Sequence, residues 1–335
     1  MTSRELVCRT LEFDSPARIP RQMWLLPWAV QQYPEPSRRL QRDFPDDIGS
    51  SPSFLKQFPH ISGEKHTPGT YIDEWGCVFQ NLQAGVIGEV KEPLLHDWSR
   101  IEDLRVPTEA LSVDTNKVNE FCASSELFLL AGTCPRPFER AQFLRGTVNL
   151  FMDFMDRPTE LDRLLAILHG LYVKEMELWA KTDVDALYFM DDWGSQKALL
   201  VSPDLWRELF KPLYREYAEI AHRNGKYIFM HTDGYVLDIF PDLIELEIDA
   251  VNSQIFCMGV EEIGKKFAGE ITFWGEMDRQ QILPNGSLDE VIAASRLMKS
   301  SLHRGGGLIA QCEFGAGANP ENVRAFFEFW EREAT

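Results

Sequence analysis

Five short segments in the second half of the chain combine residue types that hold cations or move protons. They are Asp191-Asp192-Trp193-Gly194-Ser195-Gln196, His231-Thr232-Asp233-Gly234, Asn252-Ser253-Gln254, Gly275-Glu276-Met277-Asp278 and Cys312-Glu313. Each follows a short run rich in β-branched or aromatic residues, which reads as a strand. One polar turn is expected wherever a strand leaves a sheet, so it is the convergence of five on one rim that would make a site. His231 and Asp233 alternate with Thr232, and on extended backbone both side chains point to the same side. Cys312, at the end of the last such run, can approach them across the mouth of a closed sheet. A neutral imidazole, a carboxylate and a thiolate form a three-ligand set for zinc that leaves a fourth position for water or substrate, with Glu276 a candidate for that fourth place. The same residues also fit a plainer reading: a satisfied core histidine, an Asx-turn aspartate before Gly234 and a packed, apolar cysteine. Of Asp191 and Asp192, one can cap the following helix while the other faces the cavity. Carboxylates held close split their pKa values, which suits proton transfer. Trp24, Trp28, Trp75, Trp193 and Trp274 include candidates for a cavity lining, although core packing is the better reading at any one of them.

The elements that would carry these segments follow from periodicity. From about residue 126 onward, strand-like runs alternate with longer stretches of helical spacing, the pattern of βα units and a parallel sheet. The expected strands are Leu127–Ala131, Ala186–Met190, Lys226–Met230, Ala250–Ser253, Ile271–Trp274 and Gly307–Gln311. Pro203 to Asn224 is expected as one helix stopping at Asn224-Gly225, and another is expected from an N-cap at Thr159 to about Lys181. Ser287 with Glu290 reads as a capping box opening a helix to Leu302, and Pro320 to Glu333 as a closing helix. Ile19–Trp24 reads as an opening strand and Tyr71–Glu89 as a hairpin with Gly85 near its turn. Asp43–Ser50 is the candidate for the second strand. Eight strands favour a (β/α)8 TIM barrel over an open doubly wound sheet, and in either case ligands bind beyond the carboxyl ends of the strands. The expectation is one barrel domain over residues 1–335 with an N-terminal insertion or hairpin region at about 43–100.

Composition narrows the function classes. The 335 residues carry 34 basic and 52 acidic side chains, a net charge of −18, so the surface should repel phosphate backbones and anionic headgroups. No apolar run approaches the roughly 18 residues a membrane span requires, and the first residues lack the layout of a signal peptide. These features disfavour nucleic-acid and membrane partners, and the expectation is a cytoplasmic protein. The six cysteines form no CxxC pairs, which argues against a disulfide framework.

Several long runs resemble the uroporphyrinogen decarboxylase superfamily, a (β/α)8 group that also contains zinc-dependent corrinoid methyltransferases. They are MTSRELVCRTLEFDSPARIP, DDWGSQKALLVSPDLWRELFKPLYREYAEIAHRNGK, the HTDG segment with PDLIELEIDAVNSQ, ITFWGEMDRQQILPNGSLDEV and PENVRAFFEFW. Against the true decarboxylases, the arginine-rich segment after the first strand is replaced by MWLLPWAVQQYP, the expected tyrosine falls on Gln142 and the expected histidine on Ala316. Only the decarboxylases' aspartate after the second strand has a candidate counterpart, at Asp46 or Asp47. Without that cationic clamp, a multiply anionic tetrapyrrole would be left uncompensated. The methyltransferase branch holds zinc with a His-x-Cys pair and a lone cysteine, which carries over to His231, Asp233 and Cys312, with aspartate in place of one cysteine. Carboxylate oxygen is an accepted zinc ligand, giving a harder site. The resemblance therefore implies a zinc-dependent methyltransferase that takes a methyl group from a methylated corrinoid (cobalamin-type), carried by a corrinoid protein partner, to a thiol or similar small-molecule acceptor. Asp192, Glu276 and Gln254 would orient the substrate, and a homodimer is compatible. The alternatives are a decarboxylase acting on a tetrapyrrole or another multi-acid, and a non-catalytic corrinoid-binding protein.

Overall fold

The computed structural model describes residues 1–333. Its main sheet has eight strands: β1 (Arg21–Leu25), β2 (Ile48–Ser50), β3 (Phe128–Leu130), β4 (Ala186–Met190), β5 (Tyr227–His231), β6 (Ala250–Asn252), β7 (Thr272–Trp274) and β8 (Leu308–Phe314). They run parallel in the order β1-β8-β7-β6-β5-β4-β3-β2, the cyclic order of a (β/α)8 barrel. The seam between β1 and β2 is bridged by the Asp47 N–H donating to the Arg21 carbonyl at 2.9 Å and by Gln22 Nε2 donating to the Ile48 carbonyl at 3.2 Å.

Period-2 alternation sorts the strand residues into two apolar layers. Ile48, Phe128, Leu130, Ala186, Phe229, Ala250, Trp274 and Ile309 meet along the barrel axis, where Val7 and Leu11 join them. Those two come from the helix Ser3–Leu11, whose start is fixed by a reciprocal capping box between Thr2 and Glu5. The opposite faces, among them Leu187, Met230, Val251, Phe273 and Ala310, pack in a larger layer beneath the outer helices.

The helices differ from expectation where proline or capping chemistry intervenes. Pro203 to Asn224 is two helices, Pro203–Leu209 and Lys211–Arg223. Pro212 has no N–H to offer and its ring crowds the preceding turn, so a new helix starts there. Pro158, not Thr159, is the N-cap residue of Thr159–Trp179. The Ser287–Glu290 capping box is present as expected at the head of Leu288–Leu302.

The inserted region forms a three-stranded antiparallel sheet, Gly69–Ile72, Val78–Asn81 and Glu89–Val90, rather than a simple hairpin. Gly85 lies in its second connection at φ +82°, where a Cβ would come within 2.4 Å of Trp28 Cα. A glycine there lets the sheet close onto the segment that follows β1. Among the described residues no helix is long and apolar enough to cross a membrane.

Candidate active site

Two loops at the carboxyl ends of β4 and β5 interlock through their backbones. Gly194 N–H donates to the Asp233 carbonyl (2.9 Å), Tyr235 N–H to Ser195 (2.7 Å), and Trp193 N–H to the Thr232 hydroxyl (3.2 Å). The approach is so close that a Cβ on Gly234, at φ +78°, would lie 2.1 Å from the Gly194 carbonyl oxygen. The glycines of DDWG and HTDG are thus required by backbone contact, and the contact places Asp192 beside Asp233.

The ligand atoms of Asp192, His231 and Asp233 all lie within 4.8 Å of one another. His231 Nε2 is 3.5 Å from Asp192 Oδ1 and 3.6 Å from Asp233 Oδ1. Its other nitrogen, Nδ1, lies 2.6 Å from Asn252 Oδ1, while Asn252 Nδ2 donates to the Trp274 carbonyl. With the Asn252 amide oriented by that carbonyl, its Oδ1 must accept, so Nδ1 carries the proton and Nε2 presents a lone pair toward the two carboxylates. Three electron-rich groups facing one point repel one another unless a cation, or a proton on the imidazole, sits among them. Asp233 Oδ1 is buried without a hydrogen-bond partner, as a metal-binding oxygen would be. Burial, reinforced by Asp233, lifts the Asp192 carboxyl above its usual range against the opposing pull of His231. Trp24 covers the imidazole, with ring centroids 5.1 Å apart.

Arg279 organises the other side of the cluster. Its guanidinium contacts Asp233 Oδ2, Glu313 Oε2 at 2.8 Å and Glu276 Oε1 at 3.1 Å. Glu276 is 1% exposed, and beyond the Arg279 ion pair at Oε1 neither of its oxygens accepts a hydrogen bond. Burial pushes its carboxyl well above the ordinary range, with Arg279 opposing and Asp233 and Glu313 adding to the rise. Ser253 Oγ and both polar atoms of Gln311 are buried and have no hydrogen-bond partner. Unsatisfied polar atoms at the ends of β5, β6 and β7, with Gln311 inside β8 beside them, mark the rim as a place for polar ligands. A cavity of about 320 Å3 opens there, bordered by Gln254, Glu276 and Arg279. A second of about 380 Å3 lies against Trp28, Arg279 and Glu313. Gln254 Oε1 accepts from Gln196 Nε2 at the first cavity's edge.

The structure therefore brings His231 and Asp233 together, adds Asp192, and keeps Glu276 and Gln254 on the same rim. Cys312 does not join them. Strand β8 continues to Phe314, three residues past its expected end, so Cys312 is mid-strand and alternation decides its direction. It packs with Leu308, Ala310 and Phe314 in the layer under the helices, whereas Ile309, of the opposite parity, faces the axis. Burial, then Glu276 and Glu313, raises its thiol well above the usual value, which opposes thiolate formation.

Asp191 caps a helix, but not the one that follows it. It accepts the Phe138 and Glu139 N–H groups, in the first turn of Pro137–Arg145, and the Tyr214 hydroxyl at 2.6 Å. Trp193 packs on Phe138 with centroids 4.1 Å apart, as a core residue. Asp46 and Asp47 precede β2 and so lie at the amino rim, away from the site. Asp47 is paired with Arg18 and accepts the Arg21 N–H, and Asp46 accepts the Met23 N–H. The decarboxylase alternative thereby loses its candidate acid. All six cysteines are free.

Arg279 and the orienting role of Asn252 were not anticipated. Asn252 was visible as a strand-end residue, and its partner could have been inferred from the neighbouring position of His231 in the register. Nothing in GEMDRQ shows that Arg279 turns back toward Asp233.

No curated protein matches the chain. Among solved structures, a methyltransferase from Methanosarcina mazei superposes with a TM-score of 0.67 at 14% identity, over 99% of each chain. Weaker likenesses are a xylose isomerase-like TIM barrel protein from Mycobacterium smegmatis (TM-score 0.37, 15% identity, 70% of this chain and 83% of that one) and a GH113 β-1,4-mannanase (0.43, 12%, 94% and 99%). A model of the uroporphyrinogen decarboxylase (URO-D) family matches residues 75–332, which include every strand end described above except those of β1 and β2. On that match, over most of its length, the chain belongs to the uroporphyrinogen decarboxylase family.

Proposed function

We propose that Asp192, His231 and Asp233 hold a divalent cation, zinc in the first instance, and that the protein is a methyltransferase moving a methyl group from a methylated corrinoid to a thiol or similar acceptor. The observation that carries this reading is the convergence of the His231 Nε2 lone pair and the unpartnered Asp233 Oδ1 with Asp192 at the carboxyl rim. The metal would lower the pKa of a bound acceptor and so provide a nucleophile at neutral pH. Asn252 fixes the imidazole tautomer, Arg279 occupies Asp233 Oδ2 and leaves Oδ1 to face the cluster, and Trp24 covers the imidazole. Glu276 and Gln254 line the adjoining cavity, where they would orient the acceptor. The barrel shared with the Methanosarcina mazei methyltransferase is compatible with this reaction class, and the methyl donor would arrive on a corrinoid protein partner.

Elemental analysis of the purified protein tests the metal, and the corrin absorption spectrum tests the reaction. About one equivalent of zinc per chain is expected, lost in His231→Ala and Asp233→Ala. Methylcobalamin mixed with the protein and a thiol panel should show loss of its methyl group. Metal-free wild-type protein, or metal retained by both variants, would overturn the proposal. Zinc-loaded protein that leaves methylcobalamin intact, even with its corrinoid protein supplied, would favour a binding role without turnover.

A further inference from the structure

The second cavity of the rim, about 380 Å3, is walled mainly by apolar side chains from three segments distant in sequence. Leu26, Pro27 and Trp28 follow β1, Val86 and Ile87 belong to the second connection of the inserted sheet, and Ala316 follows β8. Val86 and Ile87 are 38% and 37% exposed, and Leu26 and Trp28 are half-buried, so this apolar surface faces water. Backbone contacts keep the walls from collapsing onto one another. Gly85 N–H donates to the His66 carbonyl at 2.8 Å, Leu26 N–H donates to the Phe314 carbonyl at 3.1 Å, and Gly85 abuts the Trp28 backbone. A fixed, concave apolar surface open to water gains free energy by taking up an apolar group.

The charges on the wall point the same way. Its only ionic side chains, Arg279 and Glu313, are paired with each other at 2.8 Å. His66 is neutral at pH 7, because burial and then Lys65 hold its imidazole below the usual range. No free charge is left inside the cavity to repay the desolvation of an ionic group, whereas the His66 imidazole and the Gln280 amide supply neutral hydrogen-bonding groups. An anionic end of a ligand would lie at the cation, outside this cavity. Leu26, Pro27 and Trp28 fall in the arginine-free MWLLPWAVQQYP, and Ala316 stands where a histidine is expected, so the fold brings both replacements to one apolar pocket. The indole of Trp28 attracts an aromatic ring beyond what area burial alone supplies, which an aliphatic ring lacks. The volume is at the low end of small-molecule sites, room for one ring with short substituents rather than a macrocycle.

We propose that this cavity holds an uncharged aromatic ring as the body of the methyl acceptor, an arenethiol whose sulfur reaches past Arg279 and Gln280 to the metal-bearing rim. Those two residues border both this cavity and the one beside Glu276. In the transfer the thiol gives up its proton to solvent, a carbon–sulfur bond forms to the methyl carbon, and the carbon–cobalt bond of the methylated corrinoid breaks with both electrons staying on cobalt. The assignment rests on the reading of that rim as a methyl-transfer site and narrows its acceptor.

Saturation-transfer NMR and calorimetric titration of the full-length protein with phenol, thioanisole, cyclohexanol and propionate test the ring, since none of the four carries a thiol that would bind metal directly. Phenol and thioanisole should saturate the protein with a Kd of about 1 mM or tighter, cyclohexanol should bind severalfold more weakly, and propionate should not displace phenol. Ala316→Leu fills the cavity from an exposed position, and Trp28→Ala removes the indole. Each variant, checked for folding by circular dichroism, should weaken phenol binding about tenfold or more. No saturable binding of either aromatic ring, cyclohexanol bound as tightly as phenol, displacement of phenol by propionate, or ring binding unchanged in both folded variants would overturn the assignment. The readout needs neither methyl transfer nor a corrinoid. Ring binding by protein that holds no zinc or transfers no methyl group would count against the transferase reading alone, and methyl transfer to 2-mercaptoethanol by protein that binds no ring would count against this assignment alone.

Discussion

Asn252 determines which nitrogen of His231 can meet a cation, because an amide oriented by the Trp274 carbonyl can only accept from Nδ1. Replacing it with leucine frees the ring to rotate and change tautomer. Asn252→Leu is expected to lower zinc affinity about 10- to 100-fold, measured by competition with a chromogenic chelator. Cys312 offers the complementary test. Since it packs in the apolar layer under the helices, Cys312→Ser should keep its full metal content while losing about 1–3 kcal/mol of stability in urea denaturation, the cost of an unpaired hydroxyl in that layer. Metal loss in a folded Cys312→Ser protein would instead restore the cysteine to the ligand set.

At the level of elements, the site depends on the contact between the β4 and β5 loops. Asp192 and Asp233 come from different βα units, and their spacing is set where Gly194 and Gly234 touch. Gly234→Ala must either distort this contact or hold alanine at positive φ. The expected result is a destabilisation of about 1–3 kcal/mol with a parallel fall in metal affinity, read from urea denaturation and chelator competition on one preparation. Retained stability and affinity would show that the two loops do not need their present spacing. The DDWG and HTDG glycines could be seen in the sequence as turn residues; that each exists to admit the other could not.

Across the whole molecule, two buried carboxyl groups outside the Asp192–His231–Asp233 cluster make stability depend on pH. Burial, the largest influence on each, pushes Asp46 and Glu175 up to about 7. In the unfolded chain such groups ionise near pH 4. Between those values the folded protein holds more protons than the unfolded one, so these groups make stability fall as pH rises from about 4 to 7, with no further change above. Asp46→Asn and Glu175→Gln should each flatten the decline between pH 5 and 7 and leave the protein more stable than wild type at pH 8, in urea titrations at fixed ionic strength. An unchanged pH profile in both would refute the assignment.

The sequence by itself determined the barrel and the rim. Strand and helix periods differ, eight strand-like runs could be counted, and polar residues after buried strands have only the carboxyl rim to occupy; His231, Asp233, Asp192, Glu276 and Gln254 all followed from that. Whether a given residue faced the barrel axis or the helices was decided only in three dimensions, because side chains alternate along a strand. For Cys312 the boundary was three residues off, which turned an expected ligand at the strand end into a mid-strand core residue. For Asp46 and Asp47, the second strand begins only at Ile48, five residues after its expected start at Asp43, so both precede it at the amino rim. Arg279 shows the other limit: a long side chain is recruited by whichever carboxylates surround it, and here they come from β5, β7 and β8, far apart in sequence and gathered around one guanidinium only by the curvature of the folded sheet.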